Sequence, residues 1–359
     1  MTGIADSTAA YEAWLQQQLG DEFVADDVRK KHKKMRDGAF PFLRATYWRW
    51  AETIADLLPE LMDAPEILAI GDIHVENFGC WRDAEGRLVW GVNDFDEAAA
   101  MPWPLDLVRL AASAILARGD SDHSARLICE TLLGGYAAGL RAPAAIVLEQ
   151  DWKWLRQAVV LSESERAQYW AKMAALQQPG AKAPPQRLAA ALDAAMQTGA
   201  AISFVAPRTA GAGSLGRPRF VASAVWQGGP VLREAKALLP SAWTLPPGRA
   251  KAPIRAGEIA GGRYRAVDPH YRIRDDVVTR RLSPSSRKIE AEGDIDALLS
   301  NDMLTAMGRE LANCHAATDA AQSAILSDLA KRGDDWLRDA AKKAAKFIGA
   351  EQAEFAKSV

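Results

Sequence analysis

The chain of 359 residues is 49% hydrophobic and 25% charged, which is the composition of a globular protein with a sizeable core. Its 44 basic and 46 acidic residues give a formal net charge of −2, so the overall charge gives no reason to expect nucleic acid or an anionic membrane surface as a partner. The three cysteines show no CxxC spacing, which argues against a disulfide framework and against a structural zinc site.

The N-terminal part of the chain predicts two helices separated by a basic run. Ala9 to Leu19 and Pro41 to Leu58 carry apolar residues at helical spacing. Between them, Arg29 to Arg36 could bind phosphate, although a solvated helix face is the favoured interpretation. The N-terminus has no signal-peptide pattern and no stretch reaches the length of a membrane span. We therefore expect a cytoplasmic protein with no membrane partner.

Two polar clusters follow predicted strands. Ile67 to Ile70 is a short apolar run that predicts a buried strand, and the sequence Gly-Asp-Ile-His-Val-Glu-Asn begins directly after it, at Gly71. Phe78 to Arg82 and Leu88 to Val92 flank a turn that contains Asp and Gly, which predicts a hairpin. This hairpin would place the sequence Asn-Asp-Phe-Asp, which follows it, beside the first cluster.

The rest of the chain predicts more helices, then strands, then helices again. An amphipathic helix is expected over Leu105 to Arg118, and Ala-rich helices over 151–178 and 187–197. After Ala200, Gly, Val, Phe and Trp replace Ala and Leu, which indicates a small sheet. The segment 295–348 returns to an amphipathic helical pattern. An α+β fold is therefore predicted.

The first polar cluster is denser in polar groups than packing alone favours. Asp72 and Glu76, together with Asp94 and Asp96 of the second cluster, predict as many as four carboxylates near one point, where Mg²⁺ would relieve their repulsion. His74 is interpreted as a neutral neighbour of this site because Mg²⁺ prefers oxygen ligands.

The spacing within the clusters matches the needs of phosphoryl transfer. Asp72 and Asn77 have the D-x-x-x-x-N separation of the kinase catalytic loop, and Asp94 stands where that scheme needs its metal-binding Asp. The alternative that both clusters are ordinary helix or turn caps explains neither this spacing nor the Gly-rich segment downstream.

These two clusters, together with Pro102 to Ser113, resemble the bacterial family called domain of unknown function 2252. That family is similar to aminoglycoside-phosphotransferase-type kinases and protein kinases. The resemblance implies that Asp72 is the catalytic carboxylate and that Asn77 and Asp94 are Mg²⁺ ligands. It further implies that Asp96 is a second acidic ligand or a supporting group.

The same resemblance assigns a structural role to Asp106. One departure from the kinase pattern stands at Ile70. This residue takes the place of the histidine that opens the usual His-Gly-Asp or His-Arg-Asp triplet, which removes a hydrogen bond of the loop.

A candidate nucleotide-binding segment lies downstream. Its Gly-x-Gly-x-x-Gly pattern would let backbone amides approach phosphates. A strand, a turn and a returning strand follow, and the lysine on the returning strand resembles the family's own lysine motif. Glu258 is the expected ion-pair partner of that lysine. The residues assigned to ATP are Gly211, Gly213, Ser214, Gly216, Lys236 and Glu258.

In kinases the Gly-rich loop and the lysine precede the catalytic loop, whereas here they follow it. Met307 to His315 is similar to the helix that precedes the catalytic loop in aminoglycoside-type kinases. The resemblance therefore implies a two-lobed, protein-kinase-like fold that is circularly permuted. Residues 1–200 would form a helical lobe with the catalytic and metal-binding loops, 201–290 a small β-rich nucleotide-binding lobe, and 291–359 helices that return to the first lobe.

The expected function is that of a Mg²⁺-dependent, ATP-using phosphotransferase. Its acceptor would be a small molecule or a protein side chain. Transfer of AMP on the same fold is an alternative. A metal-dependent phosphoesterase is another, because Gly-Asp-x-His also opens that signature, although it needs further His and Asp ligands. The last alternative is a nucleotide-binding pseudokinase.

Overall fold

The computed structural model describes residues 2–119 and 122–358 and shows an α+β protein with three antiparallel sheets in those residues. Its helices are α1 (Ile4–Leu19), α2 (Ala25–Arg36), α3 (Ala39–Ala45), α4 (Tyr47–Leu57), α5 (Pro104–Arg118), α6 (Asp122–Arg141), α7 (Lys153–Val159), α8 (Glu163–Ala174), α9 (Gln186–Ala195), α10 (Ala256–Ala260), α11 (Ile295–Leu298), α12 (Asn301–His315), α13 (Asp319–Leu329) and α14 (Trp336–Ser358). Its strands are β1 (Glu66–Ala69), β2 (Phe78–Arg82), β3 (Leu88–Val92), β4 (Ala99–Pro102), β5 (Ile146–Val147), β6 (Ala201–Pro207), β7 (Arg219–Trp226), β8 (Gly229–Ala237), β9 (Arg272–Arg274) and β10 (Val277–Leu282).

Two predicted helices are interrupted. The one expected over Pro41 to Leu58 breaks at Thr46, whose φ of −126° and ψ of 43° lie outside the helical region and whose hydroxyl donates to the Phe42 carbonyl at 2.7 Å. The one expected over 151–178 divides into α7 and α8. Ser162 begins α8 with a capping box, in which its hydroxyl accepts from the Glu165 amide and the Glu165 carboxylate accepts from Ser162. Both predictions of a single helix were wrong, because the backbone leaves the helical region at Thr46 and a separately capped helix begins at Ser162.

The predicted hairpin is confirmed, and its register places the two polar clusters side by side. Phe78 of β2 pairs with Val92 of β3, so the residues before β2 and after β3 leave the hairpin at the same end. The amide of Asn93 extends this pairing by donating to the Asn77 carbonyl at 3.2 Å. A second antiparallel pair joins β1 to β4. The sequence predicted β1 but not β4. This pair closes the segment that carries both clusters.

The largest sheet has five antiparallel strands in the order β6-β7-β8-β10-β9. Lys236 of β8 pairs with Arg219 of β7 and with Val278 of β10, so the predicted strand-turn-strand unit is confirmed and sits in the middle of the sheet. Side chains alternate along β8. Lys236 and Glu234 therefore share one face, while Ala235 packs on the opposite face against α9.

The main core lies among helices from both ends of the chain. α5 is almost entirely buried and contacts α14, while α6 contacts α12 closely. Glycines permit that approach, because a Cβ on Gly308 would lie 2.3 Å from the Leu132 carbonyl oxygen. The amphipathic pattern over 295–348 corresponds to four helices, α11 to α14. None of the helices in the described residues is both long enough and apolar enough to span a membrane.

Candidate active site

Asp72 lies just after β1, in a loop that Asp106 of α5 fixes. The Asp106 carboxylate accepts hydrogen bonds from the backbone amides of Ile70 at 2.6 Å and Gly71 at 2.9 Å. His315 of α12 hydrogen-bonds the same carboxylate at 3.0 Å. The loop therefore keeps a hydrogen-bonded support despite Ile70, since a histidine from a distant helix and an aspartate from α5 provide it. The structural role expected for Asp106 agrees with this geometry.

The Asp72 carboxylate is held by Arg109, a buried residue of α5 that the sequence analysis did not single out. Nη2 of Arg109 lies 2.5 Å from Oδ1 of Asp72 and also donates to the Leu43 carbonyl. The guanidinium lies over the rings of Tyr47 and Trp50. Burial raises the pKa of Asp72, and the charge of Arg109 opposes that rise. A fixed carboxylate whose pKa is raised is suited to accept a proton.

Asn77 joins the two polar clusters through its side-chain amide. Nδ2 donates to the backbone oxygen of Asp72 at 3.2 Å and to that of Asp94 at 3.0 Å. Its Oδ1 is buried and has no hydrogen-bond partner among the described residues. A buried acceptor without a partner is costly, so this oxygen is available for a cation or a donor.

Asp94 and Asp96 meet Lys236, which lies 142 residues after Asp94 in the sequence. Nζ of Lys236 is 2.5 Å from Oδ2 of Asp96 and 3.3 Å from Oδ1 of Asp94. Although burial opposes it, the positive charges of Lys236, Arg280 and Lys288 hold the pKa of Asp94 well below its usual range. Burial and the charge of Asp94 raise the pKa of Asp96 to about 6. The pair is thus one firmly ionised carboxylate beside one that is easily protonated.

A second ion pair ties the sheet to this loop. Nη2 of Arg217, which precedes β7, is 2.8 Å from Oε1 of Glu97, and Nη1 is 3.5 Å from Oδ2 of Asp96. The other Glu97 oxygen accepts from the Ala242 amide at 2.7 Å. Sequence reasoning missed both Arg217 and Glu97. The sequence offered one signal for each: Glu97 directly follows Asn-Asp-Phe-Asp, and Arg217 directly follows the last glycine of the Gly-rich segment.

The Gly-rich segment contacts the loop that carries Asp72 directly. A Cβ on Gly213 would lie 2.9 Å from Oδ2 of Asp72, so only glycine fits there without displacement. Gly211 and Gly216 have φ values of 72° and 100°, a region that favours glycine. The Ser214 hydroxyl accepts from the Arg219 guanidinium at 2.6 Å.

Lys31 corrects the interpretation of the basic run as a solvated helix face. Its side chain is buried, and Nζ donates to the Gly213 carbonyl at 3.2 Å while lying 4.5 Å from the centre of the Trp48 ring. Burial, and then the charge of Arg217, lower the pKa of Lys31 to about 7. The interpretation was wrong for this residue because helical periodicity puts Lys31 on the inner face of α2, in line with Val28 and Met35.

Glu258 is not the partner of Lys236. It lies on α10, its side chain is 58% exposed, and its carboxylate pairs with Arg255 at 2.6 Å. That contact joins residues only three positions apart. Lys236 forms its ion pairs with Asp94 and Asp96 instead. The expectation was wrong because the Glu258 side chain is directed to Arg255 and to solvent, not to Lys236.

Glu76 stands beside the centre, whereas His74 lines the same cavity as Asp72 and Asn77. The Glu76 carboxylate is 2.5 Å from Arg44 and accepts from the Ala291 amide at 2.9 Å. His74 accepts from the Glu76 amide through Nδ1, and burial together with the charge of Arg44 holds its pKa well below the usual value. The expected convergence of four carboxylates is therefore wrong for Glu76, because Arg44 neutralises it elsewhere. The neutral state expected for His74 agrees with this environment.

A cavity of about 60 Å³ lies between the loop that carries Asp72 and the Gly-rich segment. Its wall includes Asp72, Asn77, Asp94, Asp96, Gly211, Gly213 and Ser214. No three His, Cys, Asp or Glu side chains are grouped as metal ligands anywhere in the described residues. Two carboxylates and the unpartnered Asn77 oxygen nevertheless fit Mg²⁺, which binds through one or two carboxylates and takes its other ligands from water and phosphate.

Comparison with known proteins identifies a family. Residues 24–203 match the family described as "Uncharacterized protein conserved in bacteria (DUF2252)", which is half of the chain. The chain belongs to the DUF2252 family. No curated protein matches it, and no solved structure does.

The matched region of this DUF2252 protein ends before the Gly-rich segment. It contains Asp72, Asn77 and Asp94, together with Arg109, which holds Asp72, and Lys31, which contacts Gly213. The residues that meet them from the sheet, from Gly211 to Lys236, lie after the match. The family match therefore covers the acidic side of the cavity. The Gly-rich side lies outside the matched residues.

Proposed function

We propose that this DUF2252 protein is a Mg²⁺-dependent, ATP-using phosphotransferase. The observation that carries the proposal is the contact of Lys236 with Asp94 and Asp96, since it joins a strand lysine to the acidic loop across 142 residues of sequence. A cation of the kind that binds phosphate oxygens thus lies beside carboxylates of the kind that bind a metal, which is the combination that phosphoryl transfer uses.

The order of elements in the five-stranded sheet supports a kinase-like arrangement. The Gly-rich segment joins the first strand, β6, to the second, β7, and Lys236 lies on the third, β8. Protein kinases also place a Gly-rich loop over the phosphates and the lysine on their third strand. Because this unit follows Asp72 and Asp94 here, we propose a circularly permuted version of that fold.

The proposed roles follow from the contacts. Asp72, held by Arg109 and with a raised pKa, accepts the proton of the acceptor hydroxyl. Asn77 and Asp94, with Asp96 beside them, would hold Mg²⁺, which when bound neutralises charge on phosphate oxygens. The backbone of Gly211 to Gly216 and the Lys236 ammonium contact the phosphates.

Asp94→Asn tests the proposal, because it removes the ionised carboxylate of the centre while keeping its shape. Purified protein is incubated with Mg²⁺, radiolabelled ATP and a metabolite extract, and labelled products are separated and weighed by mass spectrometry. We expect transfer by the wild type and a loss of at least about 10³-fold in Asp94→Asn, which corresponds to about 4 kcal/mol in the barrier.

Asp275→Asn is the matched control, because Asp275 is exposed and its φ of 50° is one that Asn adopts readily. It should keep full activity. Equal turnover by Asp94→Asn and the wild type would contradict the proposal. Binding of ATP with no turnover in any extract would favour a nucleotide-binding pseudokinase instead.

A further inference from the structure

A second, larger cavity lies on the same face of the five-stranded sheet as Lys236. Its volume is about 370 Å³, and it is bounded by α8, β10, the β2–β3 hairpin and the residues that precede β9. One ordered water needs on the order of 10–15 Å³ of such space, so a ligand of several atoms fits. Lys288 lines both this cavity and the smaller one beside Asp94, so the two adjoin.

The wall of this cavity carries an excess of positive charge. Glu234 is buried, with a side chain only 1% exposed, yet it is the shared partner of three guanidinium groups. Arg219 is 2.8 Å and Arg280 2.6 Å from its Oε1, and Arg208 contacts its Oε2. Three guanidinium groups thus share one carboxylate, and two of them, Arg208 and Arg280, line the cavity.

The wall as a whole keeps an excess of basic residues, since its other charged side chains are Lys172, Arg265, Arg281, Lys288, Asp268 and Glu290. Arg281 is paired with Asp268 at 3.1 Å, so that pair is neutral. Lys288 has only a backbone oxygen, that of Glu76 at 3.4 Å, as a hydrogen-bond partner among the described residues. Burial lowers the pKa of Lys288 to about 8, and the charge of Arg280 adds to that effect although Asp94 opposes it. Cations here repel one another, and a bound anion would relieve the repulsion.

Donors for such an anion face the cavity. Arg208 and Arg280 both line it, each about a quarter exposed, and a guanidinium offers five N–H donors, of which Glu234 takes only some. The Tyr169 hydroxyl, from α8, is buried and has no hydrogen-bond partner in the described part of the chain. An uncharged nucleobase would leave the excess charge unbalanced, whereas phosphate oxygens match guanidinium forks in both charge and shape.

We propose that this cavity binds a phosphate or pyrophosphate group through Arg208, Arg280 and the Tyr169 hydroxyl. Binding of the anion does not depend on the proposed function. The source of the anion does, and there are two chemical sources. The group is either the terminal phosphates of the nucleotide itself or a phosphate already present on the acceptor.

The two sources give different reactions. In the first, the acceptor oxygen attacks the α-phosphorus of ATP, the bond from that phosphorus to the α–β bridging oxygen breaks, and pyrophosphate leaves. In the second, the acceptor oxygen attacks the γ-phosphorus, the bond from that phosphorus to the β–γ bridging oxygen breaks, and ADP leaves. The acceptor proton goes to Asp72 in both cases. AMP transfer is thus the outcome if the cavity holds the nucleotide's own phosphates.

Calorimetric titration of the full chain with sodium pyrophosphate, without ATP, tests the site. Arg208→Gln should weaken binding at least tenfold, because it removes a fork that faces the cavity. We expect this variant to fold, because Arg219 and Arg280 remain as ion-pair partners of the buried Glu234. Tyr169→Phe, which removes a single oxygen, should weaken binding severalfold. Arg272→Gln is the control, because Arg272 is an exposed residue of the same sheet and does not line the cavity.

The outcomes separate this proposal from the proposed function. Failure of the wild type to bind pyrophosphate, or equal binding by Arg208→Gln and the wild type, would overturn the cavity assignment even if ATP is turned over. Selective loss in Arg208→Gln and Tyr169→Phe supports the assignment even if no turnover is found. Where turnover is found, release of pyrophosphate identifies the nucleotide as the source, and release of ADP with a raised KM for the acceptor in Arg208→Gln identifies the acceptor.

Discussion

The two regions that meet at the smaller cavity, between the Asp72 loop and the Gly-rich segment, carry opposite charges. The loops between β1 and α5 bring Asp72, Asp94 and Asp96, whereas the sheet brings Lys236 and Arg217. The charges of Asp94 and Asp96 are neutralised across this boundary, so these two carboxylates are not satisfied within their own region. Long-range ion pairs thus join the two regions, while contacts within a region hold its loops in place. Disturbing a support should lower stability most, and disturbing the contact between the regions should affect activity more than the fold.

The largest expected effect is on the support of the acidic region. Asp106→Ala would leave the buried amides of Ile70 and Gly71 without an acceptor and remove the partner of His315. We expect a loss of about 3–5 kcal/mol in the free energy of unfolding, measured by urea denaturation. Asp296→Ala, at an exposed position, should change stability by no more than about 0.5 kcal/mol. Similar stabilities of the two variants would show that Asp106 is not a support.

Gly213→Ala tests the contact between the regions. The added methyl group would lie 2.9 Å from Oδ2 of Asp72 and 3.3 Å from the Arg44 carbonyl, so the loops must move apart. We expect turnover to fall by about 10²-fold, since a displacement of about 1 Å has that effect, while the far-ultraviolet circular dichroism stays unchanged. Gly134→Ala, on α6 with open space around it, should be fully active. Full activity of Gly213→Ala would mean that the Gly-rich segment does not act together with Asp72.

Lys236→Met tests the neutralisation of the acidic region by the sheet. Asp94 and Asp96 would lose their shared cation, and we expect stability to fall by about 2 kcal/mol, less than for a fully buried pair because Asp94 is 34% exposed. Added Mg²⁺ should restore part of the lost melting temperature in Lys236→Met. Addition of EDTA should reverse that gain. A melting temperature that does not respond to Mg²⁺ would contradict the assignment of the metal site.

Lys31→Met gives the smallest expected effect per pH unit. It tests the burial of this lysine through the pH dependence of the free energy of unfolding. The pKa of Lys31 is about 7 when folded, against an ordinary value of 10.5. Between these values the unfolded chain binds a proton that the folded chain does not, so the wild type gains stability as pH rises and loses it as pH falls toward 7. The stability difference between the wild type and Lys31→Met should therefore grow by about 1 kcal/mol per pH unit from pH 7 to 9. A constant difference would show that folding does not lower the pKa of Lys31.

The sequence predicts what depends on neighbouring residues. The β2–β3 hairpin and the β7–β8 pair follow from strand and turn patterns over a few positions, and Asp72 with Asn77 follows from a fixed spacing. What it could not predict depends on distant partners. Lys31 seemed solvated because its acceptor, the Gly213 carbonyl, lies 182 residues away in the sequence.

The same limit explains the other differences. Arg109 sits in an apolar helix, and its role becomes clear only when Asp72 is placed against it. Glu258 was assigned to Lys236 by analogy with kinases, and local pairing with Arg255 satisfies it instead. Charge pairs between segments far apart in the chain leave little trace in a single sequence, because no periodicity or spacing connects them.

The most direct test of the central claim is a crystal structure with Mg²⁺ and a non-hydrolysable ATP analogue. The account predicts a metal ion about 2.0–2.1 Å from oxygens of Asp94 and Asn77, with phosphates between that ion, Lys236 and the backbone of Gly211 to Gly216. Phosphates bound away from both regions, or contacting only one of them, would contradict the claim that the acidic loops and the sheet form one phosphate-transferring centre.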